Sequence, residues 1–261
     1  MTATGTVFVT GLGPGAEDLL APRARTALER CSVIVGYDRY IKLVSPELLR
    51  GKTVVATGMT REMERCVAAL DAARAGADVA VVCSGDPGVY AMAGLVFELA
   101  ERGPAPVPHI EVVPGVPALC AAAALLGAPL MHDFACLSLS DLLTPWEVIE
   151  KRARCAFEGD FVLVLYNPRS KSRPDYLGIV LGLAREALGP DVPVGLVRLA
   201  GRPGQETWIG PLSELALEKV DMVSLVLIGN SATRLVRGRM VTPRGYFQKY
   251  AKGDCHGCFQ A

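Results

Sequence analysis

The sequence predicts an α/β fold built on a mainly parallel sheet. Short apolar runs that end in turn residues alternate with segments of helical spacing along the first half of the chain. The run from Val79 to Val82 is apolar at every position and leads into Ser84-Gly85-Asp86-Pro87. Such a run is typical of a strand buried on both faces, and the alternation favours right-handed crossovers between parallel strands.

The first half contains five predicted strands and four predicted helices. The strands are expected at Thr6–Thr10, Cys31–Val35, Thr53–Ala56, Val79–Val82 and His109–Val113, and the helices at Pro22–Leu28, Arg61–Ala75, Tyr90–Arg102 and residues 119–126. Proline is tolerated in a first helical turn, which places Pro22 at a helix start. In the helix from Arg61, helical spacing puts Met63, Val67, Leu70 and either Ala73 or Arg74 on one face of a strongly amphipathic helix.

A second block begins near Pro129 and indicates a mixed sheet. Strands are predicted at Phe134–Ser138, Phe161–Leu165, Val192–Leu199, Glu206–Ile209 and Val223–Ile228, and helices at Trp146–Phe157 and Asp175–Leu188. The turn Ala200-Gly201-Arg202-Pro203-Gly204 predicts an antiparallel pair. No repeat is present, and the tail after Tyr246 is polar.

Composition narrows the class of protein. The chain has 261 residues, is 51% hydrophobic, and balances 27 basic against 27 acidic residues. A net charge of zero gives no field for nucleic acid or an anionic membrane. The apolar tract from Gly115 to Met131 is short and broken by prolines, and the N-terminus lacks the marks of a secretory signal. We therefore expect a cytoplasmic protein with no nucleic-acid or membrane partner.

The eight cysteines do not form the framework of a secreted disulfide scaffold. Six stand singly in core-like contexts. Cys255-x-x-Cys258 with His256 offers at most three soft ligands, whereas a closed zinc site needs four. The prediction is that the protein holds no metal.

Gly11-Leu12-Gly13-Pro14-Gly15-Ala16 imitates a dinucleotide-binding fingerprint, with Asp38 after the second strand. Pro14 removes a backbone N–H from the loop, and Pro22 starts the helix late. Both features disfavour a nicotinamide cofactor.

Three loops at strand ends carry the other candidate functional residues. Asp86 is either the helix N-cap of a tight turn or part of a ligand loop at the mouth of the sheet. Asp38, in the stretch from Gly36 to Tyr40, is either a solvated cap or a functional carboxylate. The stretch from Tyr166 to Arg173 carries three cations, which form a solvated basic turn or hold a small polyanion.

Taken in order, these motifs resemble the tetrapyrrole methyltransferases of cobalamin and sirohaem synthesis. The similarity covers about Val7 to Phe247 and rests on the ordered set Gly11–Gly15, Ser84–Pro87, Pro114-Gly115 with Ala118, and Ile228-Gly229. Gly36–Tyr40, Gly58–Glu62, Tyr90–Gly94 and above all Leu165–Arg173 resemble the members that methylate C17 of precorrin-3B. Related uroporphyrinogen methyltransferases carry an arginine after the second motif, where this chain has Met92.

The resemblance implies two α/β domains, residues 1–128 and 129–247, followed by a polar tail at residues 248–261. The active site is expected in the cleft between the domains, usually in a homodimer. S-adenosylmethionine is expected there, leaving as S-adenosylhomocysteine. The residues implied to bind it are Ser84, Gly85, Asp86, Val89, Tyr90, Pro117, Ala118, Tyr166, Asn167, Ala200 and Gly229.

The implied reaction methylates C17 of precorrin-3B and contracts the ring to give precorrin-4, with C20 extruded as an acetyl group. Asp38 is hypothesised to take the C20 hydroxyl proton or to orient the substrate. Pro14 is expected to line the cleft. Arg169, Lys171 and Arg173 are hypothesised to hold the peripheral carboxylates.

Four alternatives remain beside this interpretation. The same chemistry could act at C11 of precorrin-4, or on the cobalt-containing substrate of the anaerobic pathway. A ribosomal-RNA methyltransferase of this fold should show a basic face, which the neutral composition does not provide. A non-catalytic corrin carrier would bind substrate without turnover. Channelling contacts with neighbouring pathway enzymes are a further expectation.

Overall fold

The computed structural model describes residues 4–170, 173 and 175–250, and the side chains of 247 and 248 are not described further. The chain divides into two compact units. Unit 1 comprises residues 1–121 together with 200–203, and unit 2 comprises residues 122–199 together with those after 203. The predicted domain limits, 1–128 and 129–247 with a tail from 248, remain a prediction beside this division.

Unit 1 is an α/β unit around a five-stranded sheet in which every pair is parallel. The strand order is β3-β2-β4-β1-β5. The strands are β1 Thr6–Gly11, β2 Val33–Tyr37, β3 Thr53–Thr57, β4 Val79–Cys83 and β5 His109–Val113. The helices are α1 Pro22–Arg30, α2 Asp38–Ile41, α3 Pro46–Leu49, α4 Glu62–Arg74, α5 Ala93–Arg102 and α6 Ala118–Leu126, the last of which continues into unit 2.

The register brings the carboxyl ends of four strands to one edge. Gly11 of β1 pairs with Cys83 of β4, while Gly36 of β2 pairs with Val82 and Val113 of β5 pairs with Thr10. All five residues of β4 are buried, as the apolar run predicted. The loops that follow β1, β2, β4 and β5 therefore emerge together, and we call this border the carboxyl edge of unit 1.

Two apolar layers cover the two faces of this sheet. One contains Leu70 and Ala73 of α4 with Val96 of α5, and the other contains Leu28 of α1 with Ile34 of β2. Side chains alternate across a strand, so successive residues of β1 contribute to opposite layers. Val7 and Val9 belong to the first layer and Phe8 to the second.

The predicted apolar face of α4 is only half correct. Leu70 and Ala73 are buried, whereas Met63 and Val67 are 56% and 42% exposed. The buried stripe instead runs through Arg65, Cys66, Ala69, Leu70 and Ala73. Small residues let the helix approach the sheet closely, and this packing outweighs the hydrophobicity of the longer side chains.

Unit 2 is built on a mixed five-stranded sheet with the order β10-β9-β11-β8-β7. Its strands are β7 Phe134–Ser138, β8 Val162–Tyr166, β9 Pro193–Arg198, β10 Glu206–Pro211 and β11 Ser224–Ile228. Helices α7 Trp146–Glu158 and α8 Tyr176–Leu188 contribute to one core with this sheet, and α9 is Tyr246–Tyr250. The predicted antiparallel pairing of β9 and β10 is present.

A second, smaller sheet in unit 2 was absent from the predictions. Its strands β6 Gly127–Ala128, β12 Arg234–Val236 and β13 Arg239–Val241 are too short to give a periodic signal. Across the two units, the α/β class with one parallel and one mixed sheet is confirmed. None of the helices in the described ranges is long and apolar enough to cross a bilayer.

Candidate active site

At the carboxyl edge of unit 1, the loops after β1 and β4 are joined through their main chains. The Gly13 N–H donates to the Gly85 carbonyl at 3.1 Å, and the Gly85 N–H donates back to the Gly13 carbonyl at 2.7 Å. Both glycines have positive φ angles, +70° and +69°, a conformation that favours glycine. The loop around Ser84 is therefore held by backbone bonds that need no side chain.

The loop after β5 approaches the same point. A Cβ atom on Gly115 would lie 2.9 Å from the Gly11 Cα atom and closer still to the Gly85 carbonyl oxygen. A Cβ atom on Gly11 would meet the Gly115 nitrogen at 2.7 Å. Side chains have no room at Gly11 and Gly115, and the positive φ angle favours glycine at Gly85, which together explain a glycine in each of the three motifs.

Asp86 stabilises this junction. One carboxylate oxygen accepts from the Gly88 N–H at 2.8 Å, and the other accepts from the Gly115 N–H at 3.1 Å. Asp86 is not the N-cap of α5, because that helix begins at Ala93 with Met92 before it. Both oxygens are bound to main-chain donors, so Asp86 fixes the loop geometry.

Several predicted cofactor residues lie around this loop. Gly85 faces Pro117 and Ala118, and a Cβ atom there would be 3.6 Å from the Pro117 Cα and 3.5 Å from the Ala118 nitrogen. The Val89 N–H donates to the Asp86 carbonyl at 3.2 Å. Tyr90 is 54% exposed with a φ of 51°. The structure brings these residues together, and their contact with a cofactor stays a prediction.

Arg202 also reaches this loop, although the sequence predicts only a hairpin turn at its position. Its Nε–H donates to the Pro14 carbonyl and its Nη2 donates to the Ser84 hydroxyl, each at 2.6 Å. All of these residues, with Ala200, belong to unit 1. Burial lowers the pKa of the Arg202 guanidinium, an effect that Tyr40 opposes.

Asp38 lies at the same edge because it follows β2, the neighbour of β4. It is the first residue of the four-residue helix α2 and is exposed. Among the residues described, its carboxylate has no hydrogen bond or ion pair. Next to it, the rings of Tyr37 and Tyr40 pack edge to face at 5.2 Å, and burial raises the pKa of Tyr40.

In unit 2, the predicted arginines bind main-chain carbonyls of their own unit. Arg169 donates to the Leu217 carbonyl at 2.6 Å. Arg173 donates to the Leu139 carbonyl and, at 3.2 Å, to that of Asn167. These bonds fix the loop after β8. Lys171, the third predicted cation, lies outside the described residues.

Tyr166 and Asn167 end β8. The Asn167 backbone has a φ of 49°, and its side-chain amide donates to the Ser138 hydroxyl at 2.9 Å. The conformation is uncommon for a residue other than glycine, and asparagine tolerates it better than most. Asn167 thus turns the chain and ties β8 to the end of β7.

Gly229 does not lie at the end of the sheet where Tyr166 ends β8. Strand β11 runs antiparallel to β8, and Ile228 pairs with Leu163 near the start of β8. Gly229 is therefore about 13 Å along the strand direction from Tyr166, at 3.3 Å per residue. The end of β9 and the start of β11 lie at the Tyr166 edge instead, where the Leu199 N–H donates to the Val223 carbonyl.

The described part of the chain contains no group of three His, Cys, Asp or Glu side chains placed to hold a metal ion. Cys255 and Cys258 lie outside it, so the metal-free prediction stays a prediction. The carboxyl edge of unit 1 instead presents glycine backbone, a proline, a serine hydroxyl, one guanidinium and the exposed carboxylate of Asp38. Such a surface suits an organic ligand with polar and charged substituents.

The family comparison agrees with this geometry. Residues 6–216 match the model of the tetrapyrrole (corrin/porphyrin) methylases. The chain belongs to this family, and the predicted methyltransferase class is confirmed.

Individual relatives within this family include enzymes named as C(17)-methyltransferases. The chain is 48% identical, over 91% of its length and 98% of the relative, to a probable cobalt-factor III C(17)-methyltransferase of Salmonella typhimurium. It is 42% identical to a precorrin-3B C(17)-methyltransferase of Sinorhizobium sp, over 93% of this chain and 98% of that one. Two further relatives are longer, and the chain spans 56% and 46% of them. These names agree with the predicted C17 reaction in cobalamin biosynthesis.

Solved structures agree with the fold. The crystal structure of the methyltransferase CobJ matches with a TM-score of 0.87 at 44% identity, covering 92% of this chain and all of that one. A uroporphyrin-III C-methyltransferase of Thermus thermophilus, solved with S-adenosylhomocysteine, matches with a TM-score of 0.65 at 26% identity over 86% and 92% of the two chains.

Proposed function

We propose that this chain transfers a methyl group from S-adenosylmethionine to C17 of a precorrin-3B-type tetrapyrrole and contracts the macrocycle. The observation that carries the proposal is the full-length similarity to two C(17)-methyltransferases, one named for cobalt-factor III and one for precorrin-3B. The metal-free and the cobalt-containing macrocycles are therefore the two substrates to compare.

The carboxyl edge of unit 1 fits the proposed methyl donor. Where Gly11 and Gly115 meet, side chains are excluded, so a ligand can approach backbone that carries no side chain. S-adenosylmethionine, when bound, supplies a methyl group already activated by its sulfonium. The residues of this edge need only hold the two reactants in line and exclude water. This explains a candidate site with few titratable side chains.

Asp38 is the proposed base for ring contraction. Contraction requires that a hydroxyl at C20 lose its proton, and an exposed carboxylate free of described partners is available to accept it. Tyr40 is less suited, because burial raises its pKa and keeps the phenol protonated.

The proposal that Arg169, Lys171 and Arg173 bind the substrate carboxylates has less structural support than the proposal for Asp38. The described bonds of Arg169 and Arg173 to main-chain carbonyls favour a role in fixing the loop. Each guanidinium has five N–H groups, so donors remain for a carboxylate. Stability and substrate affinity must therefore be measured separately.

We also propose a homodimer. Strand β7 lies at the edge of its sheet; its first residue, Phe134, is 42% exposed, and Val148 and Phe161 near it are 38% and 37% exposed. An apolar surface next to an edge strand is a common site of association. Light scattering of the wild type and of Phe161→Asp tests this, since a monomeric wild type would refute it.

A direct assay tests the reaction. The protein is incubated with S-adenosylmethionine and either precorrin-3B or cobalt-factor III, and products are examined by mass spectrometry and NMR. One added methyl at C17, an acetyl substituent and one equivalent of S-adenosylhomocysteine are expected. Methylation at C11, or stoichiometric binding without S-adenosylhomocysteine, would refute the proposal.

The role of Asp38 has its own test. Asp38→Asn should lower kcat by about a hundredfold or more, since general bases contribute factors of this order. S-adenosylhomocysteine affinity should not change. Asp191→Asn, another exposed carboxylate, is the control. An unchanged kcat in Asp38→Asn would remove the assignment.

A further inference from the structure

Arg202 is a partly buried arginine that follows a strand and has no acidic partner among the described residues, in contrast to its neighbour Arg198. Arg198, four residues earlier, has its Nε 2.8 Å from an Asp221 carboxylate oxygen and a second contact with Glu206. Arg202 has no ion pair with any acidic residue in the described ranges. It is nevertheless half-buried, and its pKa is lowered by burial. A half-buried charge without a counter-ion carries a desolvation cost.

The two hydrogen bonds of Arg202 leave much of its guanidinium unused. Nε bonds the Pro14 carbonyl and Nη2 bonds the Ser84 hydroxyl. A guanidinium has five N–H groups in a planar fork, so three have no partner among the described residues. The two bonds fix the plane of the fork beside the loop after β4. Carboxylates are the anions this fork binds best, often through two parallel bonds.

The surroundings favour an anion at this position. The carboxylate of Asp86 is already bound to the N–H groups of Gly88 and Gly115. Gly15 also makes room, because a Cβ atom there would lie 2.9 Å from the Arg202 Nε. No described acidic side chain satisfies the guanidinium, so a ligand carboxylate would both pair the charge and lie beside Ser84.

We infer that Arg202 is a carboxylate-binding residue of this enzyme, holding either a side-chain carboxylate of the tetrapyrrole or the amino-acid carboxylate of the methyl donor. The inference rests on the proposed function. It assigns the binding of a ligand carboxylate to Arg202, in the turn after β9, in place of the arginines after β8. Both sources offer the same chemistry, and the two substrates can be tested separately.

The test is equilibrium binding to the full-length protein. Kd values are measured for S-adenosylhomocysteine, for 5′-methylthioadenosine, which lacks the amino-acid carboxylate, and for precorrin-3B with S-adenosylhomocysteine present. The variants are Arg202→Gln, Arg202→Lys and Ser84→Ala. Arg30→Gln is the matched control, since Arg30 is an exposed arginine of unit 1 paired with Asp78.

Two results support the inference. Arg202→Gln should weaken one carboxylate ligand about ten- to a hundredfold, the range expected for a lost charge-assisted hydrogen bond. If precorrin-3B weakens alone, the carboxylate belongs to the tetrapyrrole. If S-adenosylhomocysteine weakens and 5′-methylthioadenosine does not, it belongs to the methyl donor. Arg202→Lys retains the charge and should bind better than Arg202→Gln.

Three results overturn it. Unchanged Kd values in Arg202→Gln would show that no carboxylate is held there. Equal weakening of S-adenosylhomocysteine and 5′-methylthioadenosine, reproduced by Ser84→Ala, would show that Arg202 only supports the loop. Equal losses in Arg202→Lys and Arg202→Gln would assign the effect to the bonds with Pro14 and Ser84. These readouts need no turnover, so they remain informative even if the proposed reaction is refuted.

Discussion

The loop after β4 in unit 1 and the loop after β8 in unit 2 are held in different ways. The first is closed by main-chain bonds between Gly13 and Gly85 and by the carboxylate of Asp86. The second is fixed by long side chains, with Arg169 and Arg173 donating to carbonyls. A loop that is held by main-chain bonds leaves neighbouring side chains free to bind a ligand. In a loop that is held by arginines, the cations of the sequence motif are already engaged with carbonyl groups.

The largest expected effect comes from breaking the backbone closure. Gly115→Ala would place a methyl group against the Gly85 carbonyl and within 2.9 Å of the Gly11 Cα, where only backbone can move aside. We expect a loss of unfolding free energy of about 3 kcal/mol or more, together with loss of S-adenosylhomocysteine binding. Urea unfolding and calorimetric titration measure the two quantities.

Gly94→Ala is the matched control for that variant. A Cβ atom on Gly94 meets nothing within 4 Å, and the residue lies inside α5. Alanine should stabilise this helix by up to about 1 kcal/mol. If Gly115→Ala were as stable as Gly94→Ala, the three loops could not be packed as described.

Alkaline pH should weaken unit 1 more than unit 2. Burial raises the pKa of Cys31 and of Cys66 to about 12, and that of Cys83 to about 11. All three thiols lie in unit 1. A folded-state pKa above the unfolded value means that stability is complete below about pH 9 and is lost as pH rises from there. Each thiol should cost about 1 kcal/mol by pH 10.

Two spectroscopic signals separate the units in that experiment. Both tryptophans, Trp146 and Trp208, belong to unit 2, so their fluorescence follows that unit. The urea midpoint from circular dichroism should fall between pH 8 and pH 10 more than the midpoint from fluorescence. Cys66→Ala should reduce the pH dependence by about a third, since it removes one of three such thiols. Identical shifts in both signals would show that the units do not differ in this respect.

Arg173→Gln tests whether arginine side chains fix the loop after β8. The variant leaves the Leu139 and Asn167 carbonyls without their donor, and we expect a loss of about 2 kcal/mol in unfolding free energy. The KM for tetrapyrrole should change less than twofold. Arg154→Gln is the control, because Arg154 is an exposed arginine that pairs with Glu150 on α7. An increased KM at unchanged stability would restore the predicted binding role of Arg173.

Sequence reasoning was sufficient where the signal is local. Apolar runs, turn residues and helical spacing placed nearly all strands and helices of both main sheets. The glycines of the three loops could be identified from the sequence, because a position whose backbone disfavours any side chain is occupied by glycine itself. The loop around Ser84 could thereby be identified as a candidate site from its residue types and its position after a buried strand.

Long-range contacts were not accessible in this way. Arg202 bonds Ser84 and Pro14, which are 118 and 188 positions away in the sequence, and no feature of a predicted hairpin turn indicates such a contact. The family resemblance implies that Gly229 and Tyr166 both bind the cofactor, and the antiparallel direction of β11 places them at opposite ends of their strands. Likewise, Met63 and Val67 fit a helical face that a stripe of smaller residues occupies instead.

The smallest expected effect distinguishes loop geometry from direct ligand contact at Asp86. Asp86→Asn keeps one acceptor oxygen but replaces the other by an amide that repels the donor it faces, so about 1 kcal/mol of unfolding free energy should be lost. Because the carboxylate acts on the ligand only through the loop, the Kd of S-adenosylhomocysteine should rise by about fivefold, in line with that energy. Asp175→Asn, which removes a carboxylate bound to the Gly178 N–H at the start of α8, should cost similar stability and leave the Kd unchanged. A Kd that rises a hundredfold in Asp86→Asn at unchanged stability would mean that the carboxylate contacts the ligand itself.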